Sequence, residues 1–275
     1  MAKAISSALA GKRVVITRVA AQSEAMAREL SARGAIPVLL PLVSFADPED
    51  FAPLDAAITE TDRFDWMILT SAQVVRALVK RGEELKRSII GSASKLRIVA
   101  VGPVTAEAAR QAGLLVQYVA ETHTGVALAE ELGNQLRGAK VLLPRSDRAN
   151  PDLPAALKRH GAQVTEVITY RTLRPTGADQ EKLKETAEAE ADAVLFFSPS
   201  AVQFFAELLG REHLCALQDK LAITAVGPIT AHALREAGVQ RAVLAGDTTA
   251  AAVIEALEGH FAGAVKQTGA GAKRV

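Results

Sequence analysis

The chain has 275 residues, of which 49% are hydrophobic and 23% are charged, and its 32 Lys and Arg nearly balance its 31 Asp and Glu. This length and apolar content predict two globular domains of ordinary size and exclude a disordered chain. A net charge of +1 and an aromatic content of 4% argue against nucleic acid or an anionic membrane as the main partner.

No apolar run reaches the roughly 18 to 20 residues of a membrane span. The start of the chain is mildly apolar but short, and Ser6 and Ser7 interrupt it, so we do not expect a signal peptide. The single cysteine, Cys215, excludes an internal disulfide and suits a reducing compartment. We therefore expect cytoplasmic localisation and no membrane partner.

Short β-branched runs alternate with segments of helical periodicity along the chain. In chain order, the first half contains predicted strands RVVIT, AIPVLL, DWMILTS, LRIVAVG and LLVQYV. Predicted helices lie between and after them, at SEAMARELSARG, near PLDAAIT, and at VVRALVKRG, TAEAARQAG and TGVALAEEL. Strands with little polar alternation, separated by helices, are typical of a parallel sheet covered on both faces. The predicted fold class is therefore α/β.

The second half of the chain repeats the first. GKRVVITR begins at Gly11 and GAKVLLPR begins at Gly138, an offset of 127 residues. With an offset of 125 residues, AVGPVTAEAARQAG aligns with AVGPITAHALREAG, and ten of the fourteen positions are identical. One register held along the whole chain is not expected by chance. We interpret the chain as two copies of one unit, the first copy at 11–137 and the second copy at 138–260.

Paired polar and glycine residues follow the predicted strands. Ligands of open parallel sheets collect at the carboxyl ends of the strands, where loops lead into helix N-termini. Backbone N–H groups there bind carboxylate or phosphate oxygens, and many duplicated helix starts indicate an extended polyanion. Helix capping alone is the alternative explanation for the Ser and Thr residues. The pairs are Ser71 and Ser198, Gly102 and Gly227, and Thr105 and Thr230.

Three further side chains are candidates for the site. Arg18 and Arg145 end the first strand of each copy, where a planar guanidinium could clamp an anion, although an ion-paired or solvated arginine is the alternative. Tyr170 lies in VITYRTL at the position where the first copy has Val43, so its hydroxyl breaks the internal symmetry. A tyrosine buried in a core is the alternative for this residue.

Motifs for other chemistries are missing. The five histidines show no metal-ligand spacing, and a single cysteine cannot form a zinc-binding pair. The chain contains no dinucleotide-binding glycine motif, no P-loop and no hydrolase nucleophile elbow. We therefore expect neither a metal nor a cofactor.

Five segments in their order along the chain resemble the uroporphyrinogen-III synthase family: VVITR, TSAQVV, VITYRT, FFSPSAV and TAVGPITAHALREAG. The resemblance covers 11–260. It implies two similar doubly wound parallel-sheet lobes of flavodoxin-like type, with the chain crossing twice between them. Lobe 1 would comprise 1–41 and 172–262, lobe 2 would comprise 42–171, and 263–275 would form a disordered tail.

The resemblance also implies an activity, that of a cofactor-independent hydro-lyase of porphyrin (haem) biosynthesis. This family closes hydroxymethylbilane, a linear tetrapyrrole octacarboxylate, to uroporphyrinogen III with loss of water and inversion of ring D through a spiro intermediate. Tyr170 would be the proton donor to the leaving hydroxyl. The substrate-binding residues would be Arg18, Ser71, Gly102, Thr105, Arg145, Ser198, Gly227 and Thr230. We expect a monomer.

The chain departs from the family pattern at Val19 and Ala72, where proline is common, which weakens the assignment of those two turns. Two alternatives stay open at this point. One is a two-lobed small-molecule binding or sensor module without catalysis, and the other is a two-lobed transferase that uses a nucleotide donor.

Overall fold

A computed structural model describes residues 8–89, 95–174, 181, 185–186 and 191–270, with side chains described as far as residue 263. The chain divides into two compact units: unit 1 comprises Met1–Ser44 and Leu173–Val275, and unit 2 comprises Phe45–Thr172. The family resemblance places these borders after residues 41 and 171, so the structural borders differ by three residues and by one residue.

The strands are short, and most of them are followed by a helix. The strands are β1 Arg13–Ile16, β2 Ile36–Leu39, β3 Ser44–Ala46, β4 Trp66–Leu69, β5 Arg97–Ala100, β6 Val116–Val119, β7 Lys140–Ser146, β8 Gln163–Leu173, β9 Ala193–Phe196, β10 Ala222–Val226 and β11 Val243–Ala245.

The α-helices are α1 Ala20–Ala32, α2 Ala52–Thr59, α3 Ala72–Glu84, α4 Pro103–Gln111, α5 Gly125–Leu132, α6 Asp152–Arg159, α7 Pro199–Leu209, α8 Arg211–Leu217, α9 Pro228–Glu236 and α10 Ala250–Ala270. Two 3₁₀ helices, Thr61–Arg63 and Gly133–Leu136, precede β4 and β7.

Each unit contains one sheet. The strand order is β11-β10-β9-β1-β2 in unit 1 and β3-β8-β7-β4-β5-β6 in unit 2. The pairs within β11-β10-β9-β1-β2 and within β8-β7-β4-β5-β6 are parallel. Apart from the edge strand β3, both sheets have the doubly wound order of a flavodoxin-like fold. The predicted fold class is therefore confirmed.

The two sheets exchange strands between the copies of the repeat. The sheet of unit 1 takes β1 and β2 from the first copy and β9, β10 and β11 from the second. The sheet of unit 2 takes β7 and β8 from the second copy and β4, β5 and β6 from the first. The chain therefore passes twice from one unit to the other, as the family resemblance implies.

Unit 2 has a core on each face of its sheet. Met67 and Leu69 pack into one core with helices α2, α3 and α4, whereas Trp66 and Ile68 pack into the other with α5 and α6. All four residues of β4 are buried, which explains why this strand lacks polar alternation. Burying each such side chain contributes roughly 1.5–3 kcal/mol to folding.

Unit 1 is built in the same way. Val14 and Ile16 of β1 pack in a core with Leu30 of α1 and Leu257 of α10. All five residues of β10 are buried. The apolar strands are thus buried in the middle of each sheet, and the polar residues lie at the strand ends.

The end of the chain differs from the expected tail at 263–275. Helix α10 continues to Ala270, beyond the predicted limit at 262. The segment AGAVKQTGA is rich in alanine, which has the highest helix propensity, and contains no proline to stop the helix. Residues 271–275 lie outside the described part of the chain.

Candidate functional site

The candidate site residues lie where the strand order reverses in each sheet. In unit 1 the reversal falls between β1 and β9, and Arg18 and Ser198 follow these strands. In unit 2 it falls between β7 and β4, where Arg145 lies near the end of β7 and Ser71 follows β4. Such switch points are where doubly wound sheets bind ligands. Each unit therefore has its own switch point with one arginine and one serine.

The two serines are helix caps. Ser71 Oγ accepts a hydrogen bond from the Val74 N–H at 3.2 Å, and Ser198 Oγ accepts one from the Ala201 N–H at 3.2 Å. Both serines have extended backbones, as an N-cap requires. Capping is thus part of their role. It uses the serine oxygen as an acceptor, so the Ser198 hydroxyl can still donate its proton to an anion, whereas the Ser71 hydroxyl bonds the Tyr170 phenol.

The two Gly-Pro turns begin helices α4 and α9. Gly102 and Gly227 occupy the N-cap positions, and proline follows at the first helical position. Within the described part of the chain, no side chain caps either helix start. Thr105 and Thr230 lie in the first turn and are buried. The backbone N–H groups of these first turns are the donors that a carboxylate would find there.

The two arginines differ. The Arg18 guanidinium lies 4.9 Å from the centre of the Phe197 ring, and the residue is half-buried. Arg145 is buried, with Nη1 2.6 Å from Glu166 Oε2 and Nη2 2.7 Å from the Asn150 carbonyl oxygen. A buried guanidinium needs such partners because desolvation of an unpaired charge is costly.

The structure therefore shows Arg145 in the ion-paired arrangement that was the alternative to an anion clamp. Glu166 lies on the neighbouring strand β8, where Leu143 is its Cα partner across the sheet. The sequence carries no direct signal for this pairing, because it depends on the register between β7 and β8.

Tyr170 lies at an irregularity in the same pair of strands. Arg145 is aligned with Ile168, but the next residue, Ser146, is aligned with Tyr170, so the register shifts by one residue. β-Bulges of this kind turn a side chain towards a site at a strand end. The Tyr170 ring is half-buried and makes an edge contact with Phe45 at 5.3 Å between ring centres. The bulge therefore brings the phenol next to Ser146.

The surroundings of Tyr170 keep its phenol protonated. Burial raises its pKa above the usual value near 10, and the negative charge of Asp147 raises it further. Hydrogen bonds from Ser71 and Ser146 and the positive charge of Arg76 act in the opposite direction but do not outweigh burial. The phenol can therefore donate a proton at neutral pH.

Three residues around Tyr170 were not among the predicted site residues: Arg76, Ser146 and Asp147. A signal for two of them was present in the repeat, because Ser146 and Asp147 are aligned with Val19 and Ala20 of the first copy.

Within the described residues there is no group of three His, Cys, Asp or Glu side chains that could hold a metal ion. None of the described helices is long and apolar enough to cross a membrane.

The fold and the two switch points define a class of α/β protein with duplicated doubly wound sheets and anion-accepting helix starts. A family model described as "Uroporphyrinogen-III synthase HemD" matches residues 24–255. The chain therefore belongs to the uroporphyrinogen-III synthase family, and it is an enzyme of the lyase type. This membership does not favour the alternatives of a non-catalytic binding module or a nucleotide-dependent transferase.

Individual relatives agree with the family model. The uroporphyrinogen-III synthase of Synechococcus elongatus is 29% identical over 232 residues, which cover 83% of this chain and 87% of that protein. The enzyme of Chlorobaculum parvum is 24% identical and is covered completely, by 90% of this chain. A crystal structure of a uroporphyrinogen III synthase mutant from Thermus thermophilus matches with a TM-score of 0.68 at 24% identity, over 93% of this chain and all of that one. This last match supports the fold.

Replacing the two cap glycines by alanine should have unequal effects. Gly227 has a φ of +91°, which L residues rarely adopt, whereas Gly102 has an extended backbone and an added Cβ would lie 3.7 Å from His123. We expect Gly227→Ala to destabilise its unit by about 1–3 kcal/mol and Gly102→Ala to have a much smaller effect. Thermal unfolding followed by circular dichroism tests this. Equal losses in the two variants would contradict it.

The pKa of Tyr170 can be measured directly, because Tyr118 is the only other tyrosine. In a Tyr118→Phe background, the absorbance of the tyrosinate should titrate with a pKa above the usual value near 10. Adding Arg76→Gln should raise the pKa further, because the Arg76 charge favours the phenolate. Arg110→Gln, an exposed change in the same unit, is the control. A fall in the pKa on removing Arg76 would contradict the site described above.

Proposed function

We propose that this chain closes hydroxymethylbilane to uroporphyrinogen III, with loss of water and inversion of ring D. Family membership supports the reaction. The assignment of the site rests on the two switch points. At each of them helices begin with a serine cap or with a glycine at the N-cap position. Unit 2 alone adds Tyr170, whose phenol is protonated. The site belongs to a haem-biosynthesis enzyme that needs no cofactor.

The carboxylates of the substrate would bind at the helix starts. The first turns of α4 and α9 offer backbone N–H groups beside Thr105 and Thr230. Ser198 adds a hydroxyl donor at α7, and the Ser71 hydroxyl at α3 would be shared between the substrate and the Tyr170 phenol. Backbone donors and the positive ends of helix dipoles attract carboxylates without requiring a basic surface, which agrees with a net charge of +1.

The arginines would have different roles. Arg18 is half-buried beside Phe197 at the switch point of unit 1, and we assign it to a substrate carboxylate. Arg145 would act indirectly. Its bonds to Glu166 and to the Asn150 carbonyl tie the end of β7 to β8 and to the loop before α6. These two contacts of Arg145 would stabilise the bulge that aligns Ser146 with Tyr170.

Tyr170 would start the reaction. Its phenol donates a proton to the hydroxyl of the substrate, which leaves as water and produces a cationic azafulvene that keeps its N–H. The substituted carbon of the last ring attacks to form a spiro intermediate, which fragments and closes again with that ring inverted. The ring loses one proton as it regains aromaticity, so the protons balance. The bound carboxylates hold the chain so that the substituted carbon is the nearer nucleophile.

We further propose that the enzyme works as a monomer in the cytoplasm, with units 1 and 2 as its lobes. One chain supplies both switch points and Tyr170, so no second copy is needed to complete the proposed set. The single cysteine agrees with a reducing compartment. Light scattering with and without substrate would test the monomer, and a dimer mass would contradict it.

The reaction is tested by the ratio of the products. Hydroxymethylbilane closes by itself without inversion to the type I isomer. In the presence of the protein we expect mostly the type III isomer, separated from type I by chromatography. A product ratio identical with and without the protein would show that the proposed function is wrong.

Tyr170→Phe should lower kcat for type III formation by about 100-fold, the lower end of the usual contribution of a general acid. The ring and its contact with Phe45 remain, so the fold and KM should change little. Tyr118→Phe is the matched control, because Tyr118 lies in the same unit and bonds Glu131 instead. If Tyr170→Phe kept the wild-type kcat, the proposed role of Tyr170 as proton donor would be wrong.

A further inference from the structure

The internal repeat shows which polar residues the fold itself does not require. With the offset of 127 residues, Ser146, Asp147, Tyr170 and Thr172 of the second copy are aligned with Val19, Ala20, Val43 and Phe45 of the first copy. All four positions are polar in the second copy and apolar in the first copy. The capping residues Ser71 and Ser198 are retained in both units. All four polar residues lie in unit 2. Because the first copy has apolar residues at the same positions, the repeated fold itself does not require them.

These four residues form one hydrogen-bonded group around the bulge. Ser146 Oγ lies 2.9 Å from Asp147 Oδ1 and 2.9 Å from Thr172 Oγ1. The Thr172 N–H donates to Asp147 Oδ1 at 2.9 Å, and the Asp147 N–H donates to the Tyr170 carbonyl at 3.3 Å. Ser146 also bonds the Tyr170 phenol. The Asp147 carboxylate is thus held at a fixed place, two hydrogen bonds from the phenolic oxygen.

The chemistry of the side chains decides which of them donates and which accepts in this hydrogen-bonded group. A carboxylate can only accept, so the Ser146 hydroxyl donates its proton to Asp147, and its oxygen accepts from the Arg148 N–H at 3.3 Å. When the phenolate forms, the same hydroxyl can donate to it, which is the direction in which Ser146 lowers the pKa of Tyr170. Asp147 is exposed to solvent, whereas Tyr170 is half-buried. The group therefore connects the phenol to water through a serine and a carboxylate.

We propose that Asp147 and Ser146 form the path by which Tyr170 regains its proton in each turnover, with Asp147 as a positioning residue for the tyrosine. This inference rests on the proposed function of Tyr170. After the phenol has given its proton to the leaving hydroxyl, the phenolate takes the proton of Ser146 Oγ. Ser146 is reprotonated from water by way of the Asp147 carboxyl group. The ring releases its own proton to solvent as the macrocycle closes, so no net proton is used.

Arg76 is the other charged side chain that acts on the phenol, from helix α3. Its positive charge favours the phenolate and so assists proton donation, whereas the negative charge of Asp147 opposes it. If Asp147 acted only through its charge, its removal would make Tyr170 a stronger acid. A relay role predicts the opposite result, a slower reaction.

Asp147→Asn separates these possibilities, because the amide oxygen can still accept from Ser146 and from the Thr172 N–H but the group cannot carry the proton. We expect kcat for type III formation to fall by about 10-fold, part of the contribution of a general acid, with KM unchanged. Formate buffer should restore part of the lost kcat in the variant and have no effect on the wild type. The matched control is Asp62→Asn, an exposed carboxylate of unit 2, which should keep wild-type kcat.

The same substitution in a Tyr170→Phe background should have no further effect, because a relay without its tyrosine has nothing to reprotonate. Trp66 fluorescence, the only tryptophan signal, reports whether unit 2 stays folded. If Asp147→Asn does not fold, Ser146→Ala is measured in the same way and should also lose about 10-fold in kcat with formate giving no rescue.

Unchanged or increased kcat in Asp147→Asn, or the same loss with and without Tyr170, would overturn the relay. So would a change confined to KM. These outcomes are distinct from failure of the proposed function, in which the wild-type protein itself does not change the isomer ratio. Wild-type protein that makes type III, with a fully active Asp147→Asn, would refute the relay and leave the function standing.

Discussion

A parallel sheet places the carboxyl ends of its strands at one edge, and the proposed site depends on this constraint. Each strand there leads into a helix whose first N–H groups have no partner in the helix. Because the strands between are apolar and buried, as in β4 and β10, the polar residues of these segments are confined to their ends. A surface of hydrogen-bond donors follows from the topology before any particular side chain is considered. The side chains at Ser71, Ser198, Thr105 and Thr230 refine this surface.

Because the fold is duplicated, each unit has its own set of hydrogen-bond donors at the carboxyl ends of its strands. Because strands are exchanged, each set combines residues from both copies of the repeat. Each unit pairs the first two strands of one copy with the last three of the other, so each switch point joins residues from both copies. Arg18 stands with Ser198, and Arg145 stands with Ser71. Each unit by itself offers a set of donors that can bind carboxylates, whereas a single proton transfer needs only one tyrosine. In the proposed assignment the binding residues therefore occur in pairs, and the proposed proton donor, Tyr170, occurs once.

The fold was predictable from the sequence to a large extent, because apolar runs, helical periodicity and the repeat are local or regular patterns. The cap roles of Ser71 and Ser198 also follow from local spacing. The ion pair of Arg145 with Glu166 and the alignment of Ser146 with Tyr170 were not predictable in this way. Both depend on the register of β7 against β8, including one bulge, and no pattern within either strand states that register. The extension of α10 to Ala270 was missed because glycine and alanine were interpreted as a loose tail.

Selectivity and rate have different physical sources in a reaction whose substrate also closes without help. Type III formation requires the substituted carbon to be held nearer to the reacting centre than the free one, and in the proposed mechanism the hydrogen-bond donors at the helix starts would hold it there. Orientation of this kind can contribute several kcal/mol, about 7–11 kcal/mol at most. A phenol with a raised pKa is a weak acid, and about 100-fold from Tyr170 corresponds to about 2.7 kcal/mol. In the proposed mechanism the larger share of catalysis lies with backbone N–H groups, which every substitution except proline leaves in place, so a half-buried, weakly acidic tyrosine is sufficient.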